Sequence, residues 1–296
     1  MVKKKIKHSK MTKKLKFLSG LYIAPGLIGV LLFFIIPFIV VIFYSFVDNP
    51  INAEFVGLDN YKNVMNNEAF KTAVHNTLAF SVVAVPLAVV LSLLLAIVLE
   101  AKLPFRSQFR TFFLSPMMVP VASIVLIWTV LFHDNGAINE VLKLFGIEHI
   151  DWMNSDYFIV VIVVLFLWKN LGYNMILFMA ALASIPKDIL EVARLESASP
   201  LKTFFMIKIR YLSSTLLFVM IMSLISSFKV FREIYQLTTD YPYSTAYMVQ
   251  HFMNNKFKSL DYQMLSAAAI LMALVMIVII GILFVAENWF GKDVEG

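Results

Sequence analysis

Residues 187–204 read KDILEVARLESASPLKTF, a charged, amphipathic stretch set between two long apolar runs, 157–184 and 211–228. Pro186 disfavours helical geometry at Ile185 and so ends the first run. Residues 187–198 then carry good helix formers. Ile189, Leu190, Val192, Ala193 and Leu195 group on one side, and Lys187, Glu191 and Arg194 lie around the other. Pro200 opens a new helix with Ser199 as its N-cap. The expected element is a helix of about three turns lying parallel to a membrane surface. Such a helix either anchors its own loop or docks on a partner, and these residues alone leave both readings open.

The flanking runs belong to a chain of 296 residues that is 60% hydrophobic, only 15% charged and holds 27 Phe. Its mean hydropathy is +0.81, beyond what a soluble domain of this size can bury. A spanning helix needs about 20 apolar residues. Six runs qualify, at 21–47, 72–99, 111–132, 157–184, 211–228 and 262–286. The expected fold class is all-α, a polytopic membrane protein with six transmembrane helices. Continuous rather than alternating apolar runs exclude a β-barrel. The first run is about twice the ~7–15 apolar residues of a signal-peptide core and lacks a small-residue cleavage site, so it is read as a retained span. The expected organisation is a basic arm at 1–20, a six-span domain at 21–286 and a tail at 287–296.

Lys and Arg set the expected orientation. Eight Lys lie between 3 and 16. Lys102, Arg106 and Arg110 follow the second run, and Lys187, Arg194, Lys202, Lys208 and Arg210 follow the fourth. With Lys292 that side holds 17, against seven on the other: Lys62, Lys71, Lys143, Lys229, Arg232, Lys256 and Lys258. The positive-inside rule then makes both termini, and the quoted helix, cytoplasmic. The formal net charge of +6 is thus a topology signal. The lysine arm lacks interleaved aromatics and abuts a span, so nucleic acid is not the expected partner. Membrane lipid is.

The chemistry of enzymes is missing from the sequence. With Cys at zero there is no thiol catalysis or Cys-ligated metal, and the five His are scattered without a metal-binding pair. The only Gly-Lys, Gly291-Lys292, lacks the rest of a phosphate-binding loop. The chain is therefore expected to have no catalytic residues, no metal site and no cofactor of its own. Ion-driven carriers place ionisable groups along their spans. Here the six runs hold Lys169 and no Asp or Glu, so the energy for transport is expected to enter from another polypeptide.

The residue order of 185–212, IPKDILEVARLESASPLKTFFMIKIRYL, resembles the EAA loop of permease subunits of ATP-binding cassette (ABC) importers, which lies between the fourth and fifth shared spans. Ile185, Pro186, Glu191, Ala193, Arg194, Leu195, Ala198 and Ser199 match, and Glu196 replaces the usual Asp. Val192 stands for the second Ala, Ser197 for the helix-ending Gly, and Arg210 for a later Pro. Ser at a left-handed turn costs about 1 kcal/mol relative to Gly. FVGLDNY at 55–61, Asn76-Thr77, Leu114-Ser115-Pro116 with Pro120, and FKVFREIYQL at 228–237 extend the resemblance along most of the chain. They point to the carbohydrate-uptake branch of maltose-type and glycerol-phosphate-type permeases, first-permease type.

The resemblance implies a type I ABC importer permease in a bacterial-type plasma membrane. Its partners would be a second homologous permease, two copies of an ATPase that bind ATP and Mg, and an extracytoplasmic solute-binding protein. Residues 187–198 would be the coupling helix, with Glu191, Ala193, Arg194, Leu195, Glu196, Ser197 and Ala198 at the ATPase junction.

A sugar path needs hydrogen-bonding groups and aromatic faces at membrane depth. The fourth run offers Trp168, Lys169, Asn170, Gly172, Tyr173 and Asn174, and the fifth offers Ser223, Ser226 and Ser227 on one helical face. The resemblance places Trp168, Asn170, Leu171, Gly172, Met175, Ser223 and Ser227 at pocket positions. Met117 and Val121 match further pocket positions but are apolar here. Small and polar residues also serve helix packing, which remains a competing reading. Lys169 and Lys229 favour an anionic solute, such as a uronate oligomer or glycerol phosphate, if Lys169 is not simply bonded within the protein. A self-contained carrier or channel is the alternative from another class.

Overall fold

The computed structural model describes residues 13–100 and 105–291. Most of the lysine arm, Lys102 and the residues after 291 lie outside the described residues. Among the described residues there is no strand, and the one β-feature is an isolated bridge between Val47 and Phe55. Five helices are long and apolar enough to cross a bilayer, and a sixth span results if one bent pair is counted as a unit.

Span 1 (Ser19–Ser45) contains a π-helical turn at Leu31–Ile35. Pro37 lacks the N–H that residue 33 would accept, and the wider turn before it absorbs the mismatch. Span 2 (Glu68–Glu100) runs for 33 residues, about 50 Å, and so projects beyond the hydrocarbon. Its buried face is rich in small residues, with Ala73, Thr77, Ser81, Ala84, Ala88, Ser92 and Ala96 along one side. These let span 2 lie close along span 4 (Phe158–Ala183), and the two form the centre of the molecule. Phe80 and Phe166 meet edge to face between them, with ring centroids 5.5 Å apart.

The third apolar run is not one straight helix. Its two halves, Arg106–Met118 and Val121–Leu131, together span 3, meet at 102°. Pro116 removes a donor from the last turn of the first piece, and Val119 before Pro120 is held extended at φ −82, ψ 129. Span 5 also departs from expectation. It reaches from Ser213 to Thr238, ten residues beyond the apolar run, with only a slight break at Lys229 and Val230. Lys229 and Arg232 therefore sit in the extension of a span and not in a loop. Below it the chain is already helical from Pro200, through a π-turn at Phe204–Lys208 and on through Ile209–Tyr211. Arg210, in place of the usual Pro, lets that helix continue.

Span 1 has no buried residue in its most apolar window and span 6 (Tyr262–Trp289) has 6%, against 44% in span 2. The end of span 1 is stapled by the FVGLDNY segment. Asn60 donates to the carbonyls of Ser45 (3.1 Å) and Val47 (2.8 Å), and the Tyr61 hydroxyl meets Ser45 Oγ at 2.7 Å. Asn76 and Thr77 do the same for the segment before span 6. Asn76 donates to Ser244 and Tyr247 carbonyls, and Thr77 Oγ1 accepts from the Val249 amide.

Candidate functional site

Two features of spans 4 and 5 carry function-related chemistry. The first is the loop helix, Lys187–Leu195. It is three residues shorter than expected because the chain turns at Ser197, which takes φ +55. Ser197 N–H bonds the Arg194 carbonyl (3.0 Å) and Ala198 N–H the Ala193 carbonyl (3.0 Å). This is a Schellman ending, normally built with Gly at that position. Ser199 then caps the next helix, its side chain accepting from Lys202 N.

Ala193 is buried and Ala198 half-buried, whereas Glu191, Val192, Arg194, Leu195, Glu196 and Ser197 are exposed. Leu195, 85% exposed, is an apolar side chain held out by a rigid turn. Val192 and Ile189 border an open groove of about 430 Å³, shared with Asp188, Lys202, Thr203 and Met206. The helix is carried by the ends of both spans. Ile185 is buried, and Lys208 pairs with Glu100 at 2.8 Å, tying the start of the fifth helical segment to the end of span 2.

The second feature is a cavity of about 240 Å³ beside the middle of span 4, lined by Lys169, Asn170, Ser226, Lys229, Arg232 and Glu233 among others. Lys169 forms an ion pair with Glu233, whose side chain is almost wholly buried on the extension of span 5. Asn170 donates to its own helix at Phe166 O (2.8 Å).

The remaining path candidates lie elsewhere. Trp168 packs on Trp128, centroids 4.9 Å apart, in the outer core cluster. Asn174 donates to Ser223 Oγ at 2.9 Å, and Ser227 Oγ meets Ser81 Oγ at 2.8 Å. Asn174, Ser223, Ser227 and Ser81 are buried and bond between spans 2, 4 and 5. Gly172 faces the first half of span 3 so closely that an added Cβ would stand 1.9 Å from Phe113 O. Met175 is fully buried, and Tyr173 is exposed. Sequence reasoning missed Glu233 because FKVFRE ends the apolar run. The signal was present in Val230, Ile234 and Leu237, at i, i+4 and i+7, which continue the helix with a buried face.

A bundle of spans with an exposed, rigidly capped loop helix and a polar cavity on the same pair of spans suits a transport permease. Comparison with known proteins agrees. Residues 88–296 match the family described as "Binding-protein-dependent transport system inner membrane component", and the chain belongs to that family. It is a multi-pass protein of the bacterial-type cell membrane and a permease of the ABC transporter class. It is 26% identical to the sn-glycerol-3-phosphate transport system permease protein UgpA of Pectobacterium atrosepticum, over 94% of this chain and 96% of the relative. It is 28% identical to the arabinooligosaccharides transport system permease protein AraP of Bacillus subtilis, over 73% of this chain and 71% of the relative. A solved bacterial ABC transporter involved in the import of the acidic polysaccharide alginate shares the fold, with a TM-score of 0.80 at 20% identity over 96% of this chain and 98% of that one.

Proposed function

We propose that this chain is one permease of an ATP-driven, binding-protein-dependent importer for a sugar or oligosaccharide. It pairs with a second, homologous permease, with two copies of an ATPase that hold ATP and Mg, and with an extracytoplasmic solute-binding protein. Both termini face the cytoplasm. The chain performs no catalysis; it supplies half of the solute path and one docking helix. The names of relatives such as AraP and UgpA support the solute class.

The observation that carries the docking role is the loop helix itself. Glu191, Arg194 and Leu195 are exposed on a short helix whose ends are fixed by the Schellman turn and by Ile185. Leu195 and Val192 add apolar surface to it, 85% and 53% exposed, of the kind a protein cleft would cover. The ATPase closes on ATP and moves this helix as a rigid handle, and spans 4 and 5 follow because they carry its two ends. Glu191→Lys is expected to abolish most uptake and most solute-stimulated ATP hydrolysis while the protein remains inserted at normal abundance. Uptake by this variant at the wild-type rate would overturn the docking role.

A further inference from the structure

The cavity beside Lys169 has an excess of positive charge that its own ion pair does not explain. Lys169, Lys229 and Arg232 line it, with Glu233 as the one carboxylate. That leaves a net of two positive charges. A structural Lys–Glu pair between spans 4 and 5 needs one cation. Neither Lys229 nor Arg232 has a carboxylate within ion-pair distance among the described residues. Both are exposed at the cavity's rim, and cations gathered at the mouth of a cavity raise the local concentration of anions there. Asn170 and Ser226 on the same wall add groups suited to hydroxyls. The volume, about 240 Å³, is below the roughly 300–1,000 Å³ of ordinary ligand pockets, so the site fits one acidic residue of a solute and not a whole chain.

We propose that this cavity is an anion-receiving point on the solute path, and that the transported glycan carries a carboxylate, phosphate or sulfonate group. Glu233 is the internal anion that holds Lys169 until the solute's own anion displaces it. The displaced Glu233 then faces Lys229 and Arg232, which line the same cavity. The exchange replaces one anion on Lys169 with another, so Lys169 is paired on either side of the step.

The inference rests on the permease reading, and its test separates the two. The importer is purified with its own partner subunits in mild detergent and treated with pyridoxal 5′-phosphate. The aldehyde condenses with an amine, loses water to give an imine, and is fixed by borohydride reduction; labelling at Lys169 is read by peptide mass spectrometry. Sodium glucuronate and glucose are compared as protectants at matched ionic strength, with exposed Lys187 as the internal control. Glucuronate is expected to slow labelling at Lys169 by at least about threefold, a difference of under 1 kcal/mol, and glucose is not. Glu233→Gln, which removes the competing carboxylate, is expected to lower the glucuronate concentration that protects. Equal protection by glucuronate and glucose, or none by either, would overturn the anion site. Binding-protein-stimulated ATP hydrolysis in the same preparation shows which claim has failed. If it is intact, only the anion site falls; if no ATPase co-purifies, the permease reading falls and takes this inference with it.

Discussion

Gly172 and Ser197 show how single positions set the geometry on which transport depends. The Gly172 contact with Phe113 O has no room for a side chain, so Gly172→Ala must push the first half of span 3 away from span 4. Overpacking of this kind costs about 1–3 kcal/mol. A lower temperature of heat-induced aggregation in detergent is the expected result; an unchanged one would mean the two helices are not in contact. Ser197 is the opposite case. At φ +55 it holds a left-handed turn at a cost of about 1 kcal/mol. Ser197→Gly is therefore expected to raise thermal stability by about that amount with uptake retained, and a loss of stability would show that the Ser side chain is needed. The left-handed turn was legible in the sequence because the motif puts a Gly there. The close approach at Gly172 was not, because nothing local distinguishes a glycine that lines a path from one that admits a neighbouring backbone. The same holds for Ser223, Ser227 and Asn174, whose polar atoms bond between helices.

Among the elements, the helix Val249–Lys258 before span 6 has a built-in acid sensitivity. His251 is fully buried between Phe231 and Tyr247; its Nδ1 accepts from the Met248 amide and its Nε2 has no partner. Burial lowers its pKa from 6.5 to about 4, partly opposed by Asp240. Because the folded form binds its proton later than the unfolded form, the stabilisation is complete above pH 6.5. It declines as the pH falls towards 4, by on the order of 3 kcal/mol in all. Amide protection in this helix, taken relative to the intrinsic exchange rate at each pH, is expected to fall between pH 6.5 and 4, and His251→Phe is expected to flatten that dependence. A fall of the same size in the variant would assign the effect to another group. On the same side, Lys258 bridges Asp240 at 2.7 Å and Tyr235 at 3.0 Å, clipping this helix to the end of span 5. Element positions were largely legible from hydropathy. The bend in span 3 and the continuation of span 5 were not, since both depend on how charged or Pro-containing turns find neighbours. In the sequence, Pro116 and Pro120 read only as part of a motif within one straight span, and Glu233 meets Lys169 across the spans.

The whole molecule is asymmetric: spans 2 and 4 are packed on their neighbours, while spans 1 and 6 are nearly bare. In the proposed topology the loop helix lies in the cytoplasm and the Ala137–Leu144 helix outside. The absence of Cys makes single-cysteine labelling a clean test. In intact spheroplasts a membrane-impermeant maleimide should label Leu144→Cys and spare Ser197→Cys until the cells are opened; the reverse would invert the topology. Class was readable from apolar run lengths and from the EAA-like order of residues. The solute was not, because the cavity joins Lys169 to residues 57 to 64 positions away, a pairing set by tertiary packing. The central claim is that this chain works only with a separate ATPase held by its loop helix. The most direct test is a tagged pull-down from native membranes in mild detergent, with the co-purifying subunits identified and counted. The account predicts recovery of a second permease and two copies of a P-loop ATPase per complex, with Leu195→Arg losing the ATPase alone. Recovery of the chain by itself, still moving solute in liposomes without ATP, would contradict it.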